Sequence, residues 1–182
     1  MSRLEAIRYE EASPEAQELL DGIKKKVLRI PNIYATIAHS PVALKAFLEH
    51  TAALKSGAFD AQETEAIALS IAQVNHCGYC LAAHTAMAKM AGLSEEDTWA
   101  LRSGTSRDTK LKAVTGLAKD VVETQGHPSR EKLDAFFAAG YNQAALVELI
   151  ALVALNIFTN YFNHIAGTTV DFPAYKELPA VA

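Results

Sequence analysis

The chain has 182 residues, half of them hydrophobic, and a formal net charge of −4. That is enough for one sizeable core, or for two small repeats sharing a core. The longest basic run is Lys24-Lys25-Lys26, which reads as a solvated helix face, so nothing points to nucleic acid as a partner.

The start, Met1-Ser2-Arg3-Leu4-Glu5, is charged and lacks an apolar signal core, which predicts a cytoplasmic chain. Helical periodicity then runs almost throughout. Ser13-Pro14 is a cap-plus-proline start, followed by Leu19, Leu20, Ile23, Val27 and Leu28 on one face. Pro31 breaks that helix, and a short one is predicted over Asn32–Ala38. Ser40-Pro41 opens the stretch Val42–Leu54, which ends near Gly57. Asp60 and Glu63 have the form of a capping box, and the helix they open reaches about Asn75.

The next helix carries Cys80, Leu81, His84, Met87 and Met90 and stops at Gly92. Ser94 caps a short helix through Trp99 and Leu101 to Gly104. Thr109–Thr124 follows, broken at Gly126-His127-Pro128, and then Ser129–Ala139, ended by Gly140. Ala144 to Phe162 is apolar and long enough to span a membrane, which takes about 20 residues. Glu148, Asn156 and Asn160 would be costly there, so a buried core helix and no membrane partner are predicted. Residues 168–182, with Pro173 and Pro179, read as an irregular tail. No alternating strand appears, and the predicted class is all-α, a single multi-helix domain over residues 1–182.

An offset of 83 residues aligns Gly57 with Gly140, Glu65 with Glu148, and Ile67-Ala68-Leu69 with Ile150-Ala151-Leu152. The same offset sets Cys77 and Cys80 opposite Asn160 and Asn163. Two readings stand: a duplicated helical unit with halves at about 31–104 and 105–167, or a match produced by shared Ala/Leu/Ile composition.

The chemistry concentrates in Cys77-Gly78-Tyr79-Cys80 and His84, which contain the chain's only two cysteines. In a cytoplasmic protein a structural disulfide is disfavoured, so a close pair points to catalysis, redox sensing or metal binding. If Cys77 opens a helix, Cys77, Cys80 and His84 project within about 60° of one another at about 100° per residue. Gly78 leaves room at that end, where free amides favour a thiolate. Lowering a thiol pKa by about two units raises the thiolate fraction roughly 20-fold but weakens the nucleophile about 6–10-fold. Most of any rate must then come from positioning and a proton relay, for which His84 and Glu65 are the candidates. The βαβ setting of a thioredoxin-type pair is missing, and Leu81 stands where a haem-attachment motif needs histidine. His76 and His127 read as loop or helix-end residues without chemistry.

Glu65, Cys77, Tyr79, Cys80 and His84 together resemble the alkylhydroperoxidase D (AhpD)-like branch of the carboxymuconolactone decarboxylase family, with the glutamate twelve residues before the first cysteine. The closing Asn160-Tyr161-Phe162-Asn163-His164 and Asp171-Phe172-Pro173 are similar to the peroxidase-related subgroup. The resemblance implies an AhpD-like helical bundle, a homo-oligomer (dimer, trimer or hexamer), and a peroxide-reducing enzyme that needs no cofactor beyond its thiols. It implies that Cys80 attacks the peroxide and that Cys77 supplies a proton and then resolves the sulfenic acid. It further implies that Glu65 and His84 relay protons, and that a dithiol or lipoyl-type reductant restores the pair. The decarboxylase branch lacks the two cysteines, which argues against lactone decarboxylation. The best-studied pattern has a histidine where this chain has Tyr79, whose pKa near 10 suits it poorly to shuttling protons. His164 would take that place if the last helix packs over the site. The alternatives are a zinc module using Cys77, Cys80, His84 and Glu65, and a redox sensor that forms the disulfide without turnover.

Overall fold

The computed structural model describes residues 2–179. Its helices are α1 (Pro14–Val27), α2 (Asn32–Ile37), α3 (Pro41–Leu54), α4 (Ala61–Val74), α5 (Gly78–Met90), α6 (Glu95–Ser103), α7 (Thr109–Glu123), α8 (Arg130–Ala138) and α9 (Gln143–Ala166). Among the described residues there is no strand, and the all-α expectation holds.

The start signals act as the sequence suggests. Ser13 and Ser40 accept from the backbone N–H groups of Ala16 and Ala43, each with proline at the first turn. Asp60 with Glu63 and Ser94 with Asp97 close two capping boxes, each cap residue contributing about 0.5–2 kcal/mol. A short 3-10 turn at Tyr9–Glu11 was not signalled. The end of α1 departs from expectation. Leu28 is left-handed at φ 61° and 88% exposed, and Val27 is exposed too, so neither joins the apolar face.

The centre of the fold is α4. Every residue from Ala66 to Ala72 is buried, which marks a helix enclosed on all sides. Ala66, Leu69 and Ala72 pack with Leu20, Ile37, Leu44, Cys77, Cys80 and Leu81. Ile67 and Ile71, on its other side, pack with Val114, Leu117, Phe136, Leu149 and Leu152. The helix thus separates two apolar clusters, and the cysteines lie in the first of them.

The long helix α9 is only half the core helix the sequence predicts. Its inner side, including Leu149, Leu152, Val153, Asn156, Asn160 and Asn163, is buried. Val147, Ile150, Phe158, Tyr161 and Ile165 are exposed along the outer side. The helix is long and apolar enough to cross a membrane by length and composition alone. Its charged residue has a structural use instead. Glu148 accepts from the backbone N–H of Ala58 at 2.5 Å, and a Cβ at Gly57 would overlap its carboxylate. This tie holds the loop between α3 and α4 against α9.

Candidate active site

The turn between α4 and α5 fixes the cysteines. His76 is left-handed at φ 53° and donates its N–H to Gln73 O at 3.2 Å. Cys77 N–H then reaches Ala72 O at 3.0 Å, completing a two-bond helix stop in which a non-glycine residue takes the left-handed position. Cys77 in turn begins α5, because its Sγ accepts the N–H of Cys80 at 3.3 Å. Two helix ends therefore meet at Cys77, with Cys80 one turn further on. Gly78 is not needed for space, since a Cβ there would meet only Tyr175 Oη at 3.8 Å.

Both thiols are free and buried, Cys77 fully so and Cys80 3% exposed. The Cys80 thiol hydrogen-bonds the Cys77 sulfur, which holds Cys77 below the ordinary cysteine pKa. The amide of Cys80, Asn163 and the charge of His84 act the same way, against the opposing effect of burial. Cys80 is pushed up by that same hydrogen bond, by burial and by the Cys77 charge. Of the two thiols, Cys77 is therefore the first to give up its proton, although the resemblance implies attack by Cys80. Asn163 Nδ2 donates to Cys80 Sγ at 3.3 Å and stands 4.0 Å from Cys77 Sγ.

Antiparallel packing of α4 and α5 brings Glu65 level with His84, and His84 Nδ1 donates to Glu65 Oε2 at 2.7 Å. The two side chains are 17% and 20% exposed, so the pair is partly open to solvent. The Nδ1 contact leaves Nε2 as the nitrogen free for exchange. Tyr34 lies close by, its hydroxyl pushed up by burial and then by the Glu65 charge. Among the described residues no hydrogen bond joins His84 to either sulfur. Nor do three His, Cys, Asp or Glu side chains among them converge at metal-binding spacing, so the zinc alternative has no ligand set.

Tyr79 is bound in the packing, and His164 does not take the place of a histidine between the cysteines. Tyr79 is buried, donates to Asp171 Oδ1 at 2.7 Å and accepts from Ile33 N–H at 3.2 Å. Burial first, then Asp171, pushes its hydroxyl well above the ordinary tyrosine pKa. It is a clamp, not a shuttle. Arg29 Nη1 and Asn32 N–H also donate to Asp171 Oδ2, at 2.8 and 3.0 Å, and the Arg29 guanidinium stacks 4.4 Å from the Phe172 ring. The tail is thereby fastened beside the start of α5. It is held again where Arg102 donates to Lys176 O at 2.6 Å. His164 is exposed and contributes only its carbonyl, which accepts from Arg3. The last helix does pack over the thiols, but through Asn160 and Asn163. The sequence reading missed these two as site residues, although the 83-residue offset had set them opposite Cys77 and Cys80.

Residues 41–106 match the carboxymuconolactone decarboxylase family. No curated protein matches the chain. Among solved structures the chain is similar to a peroxidase-related protein from Ralstonia eutropha JMP134 with an alkylhydroperoxidase AhpD core (TM-score 0.84, 19% identity, 93% of this chain and 92% of that one). It is similar to a peroxidase-related protein from Silicibacter sp. TM1040 (TM-score 0.78, 19% identity, 92% of each chain). It is also similar to the debrominase Bmp8 in complex with 2,3,4-tribromopyrrole (TM-score 0.80, 16% identity, 94% of this chain and 92% of that one). At these identities the likeness is one of fold.

Two outcomes follow from the geometry. Ultraviolet titration of the thiolates should show one step below the ordinary cysteine value of about 8.5 and one above it, with Cys77→Ser removing the lower step. Two equal steps near that value would contradict the charge assignment. Tyr79→Phe should lower stability by about 1–3 kcal/mol in denaturant unfolding, because it orphans the buried Ile33 N–H, while leaving the thiol titration in place. A moved titration would return Tyr79 to the proton path.

Proposed function

We propose, from the match of residues 41–106 to the carboxymuconolactone decarboxylase family and the AhpD-like fold, that the chain is a thiol-dependent peroxidase working through a Cys77–Cys80 dithiol/disulfide cycle. The observation that carries this reading is a coupled, buried pair of free thiols beside a Glu65–His84 hydrogen bond. A metal-free dithiol needs an ionised sulfur, a base to receive its partner's proton, and an acid for the leaving oxygen.

In the cycle, the Cys77 thiolate takes the proton of Cys80 as the Cys80 sulfur attacks the terminal peroxide oxygen. The O–O bond breaks, an S–O bond forms, and the leaving oxygen receives a proton from His84, whose charge Glu65 steadies. Peroxide is reduced by two electrons to alcohol or water, and Cys80 becomes a sulfenic acid. The protonated Cys77, losing its proton again, then attacks that sulfur, expels water and forms the disulfide. A dithiol or lipoyl-type reductant returns two electrons and two protons. The two asparagines around Cys80 support oxygen arriving on that sulfur, since Asn163 bonds it directly. A cytoplasmic setting, where such a pair is kept reduced, suits the cycle.

The debrominase similarity carries a second use of the same pair. A dithiol that attacks peroxide oxygen is also a two-electron reductant for a halogenated aromatic ring. The two differ in the first product, because only peroxide leaves oxygen on sulfur.

Self-association belongs to the same reading. Val147, Ile150, Phe158, Tyr161 and Ile165 form an exposed apolar stripe along most of α9, of the kind that mates with a second copy. Sedimentation should give a mass above that of one chain, and Ile150→Glu with Ile165→Glu should reduce it. A monomeric parent protein would end this part of the proposal.

The central test is peroxide consumption with a dithiol reductant. Cys80→Ser should abolish it, and Cys77→Ser should accumulate a sulfenic acid trapped by dimedone. Glu65→Gln should slow turnover by about 10²–10⁴, the usual worth of general acid–base assistance. Full turnover by Cys80→Ser would overturn the reading.

A further inference from the structure

The thiols are covered by polar groups that the cycle above leaves unused. Asn160 is fully buried and Asn163 is 5% exposed, both on the inner side of α9. Asn75 Nδ2 donates to Asn160 Oδ1 at 2.9 Å, which fixes the carboxamide and leaves Asn160 Nδ2 as its other end. Asn160 lies one helical turn before Asn163 on the same buried face of α9, and its Nδ2 makes no hydrogen bond. Asn163 donates to Cys80 Sγ at 3.3 Å, while its own Oδ1 has no partner. One buried donor and one buried acceptor thus stand unused beside the same sulfur, and desolvated polar groups of this kind are costly to leave unpaired.

We propose that Asn160 Nδ2 and Asn163 Oδ1 form an oxygen-binding subsite for the peroxide hydroxyl and for the sulfenic acid it becomes on Cys80. The inference rests on the peroxidase reading and adds residues to it. A hydroperoxide O–OH group has a proton to give and lone pairs to accept with, and so does S–OH. The hydroxyl proton goes to Asn163 Oδ1, and the oxygen accepts from Asn160 Nδ2. The same contacts persist as the O–O bond breaks and the S–O bond forms, so they hold the oxygen in line with Cys80 Sγ through the transfer. A neutral donor can do this without a counter-charge that would draw the first ionisation away from Cys77. The carboxamide nitrogen of Asn163 keeps its place on the sulfur, which leaves its oxygen free for the substrate. A carbon electrophile such as iodomethane has no group that donates or accepts a hydrogen bond and so has no use for the subsite.

That difference supplies the test. In full-length Cys77→Ser protein, Cys80 reacts with hydrogen peroxide and, separately, with iodomethane, and both second-order rate constants are measured with and without Asn160→Leu. Asn160→Leu should slow sulfenic acid formation by about 10–100-fold while changing alkylation by less than about threefold. A general distortion of the site would slow both reagents alike. Asn160→Ala serves as the second variant if the leucine form does not fold, with the same expected ratio. An unchanged peroxide rate, or equal losses for the two reagents, overturns the subsite and leaves the peroxidase reading standing. If the unmodified protein consumes no peroxide with a dithiol reductant, the peroxidase reading itself fails and the subsite falls with it.

Discussion

The structure around the thiols depends on the double use of Cys77. Its backbone N–H ends α4 by bonding Ala72 O, and its side chain begins α5 by accepting from Cys80 N–H. A helix start leaves several N–H groups without intrahelical partners, and a sulfur is a weak acceptor unless it is ionised. Capping by cysteine in place of serine or aspartate therefore gives the site a reason to hold charge. The left-handed His76 is the local cost, since a non-glycine residue there gives up about 1–2 kcal/mol. The return is a reversal of only a few residues, which brings α4 and α5 side by side with Glu65 and His84 in register.

Burial then decides how the charge is shared. Two adjacent thiolates in an apolar cluster would repel strongly, so Cys77 ionises before Cys80 and holds Cys80 in its protonated form. Such a pair is a nucleophile and its own base. In the proposed cycle it needs an outside group mainly for the leaving oxygen, and the partly exposed Glu65–His84 pair is the candidate. Tyr79 takes no part in this, because its hydroxyl is committed to Asp171 and Ile33.

The legible parts of the site were the local ones. Caps, stops and the Cys-to-His spacing are written within one or two turns, and Glu65 came into reach because two consecutive helices pack antiparallel across a short turn. The roles of Tyr79, Asp171, Asn160 and Asn163 depend on contacts 46 to 92 residues apart in sequence, which periodicity does not encode. His164 misled because a histidine after an apolar helix looks chemically significant, whereas the face of α9 turned to the thiols carries asparagine. The same phase explains why α9 read as a core helix. At about 100° per residue its exposed stripe lies roughly 120° around from Asn160, so apolar residues occupy both sides and composition alone hides the outer one.

The tyrosine between the cysteines and the asparagines of α9 belong to one arrangement. With Tyr79 tied to the tail, the space beside Cys80 is served by α9 instead of by α5. Asparagine cannot move a proton at neutral pH, but it can both donate and accept without changing charge. In the proposed cycle proton transfer is left to His84 and the two sulfurs, while orientation falls to groups that stay the same throughout. The two tasks sit on different helices, and α4, packed against both α5 and α9, is the element that holds them together.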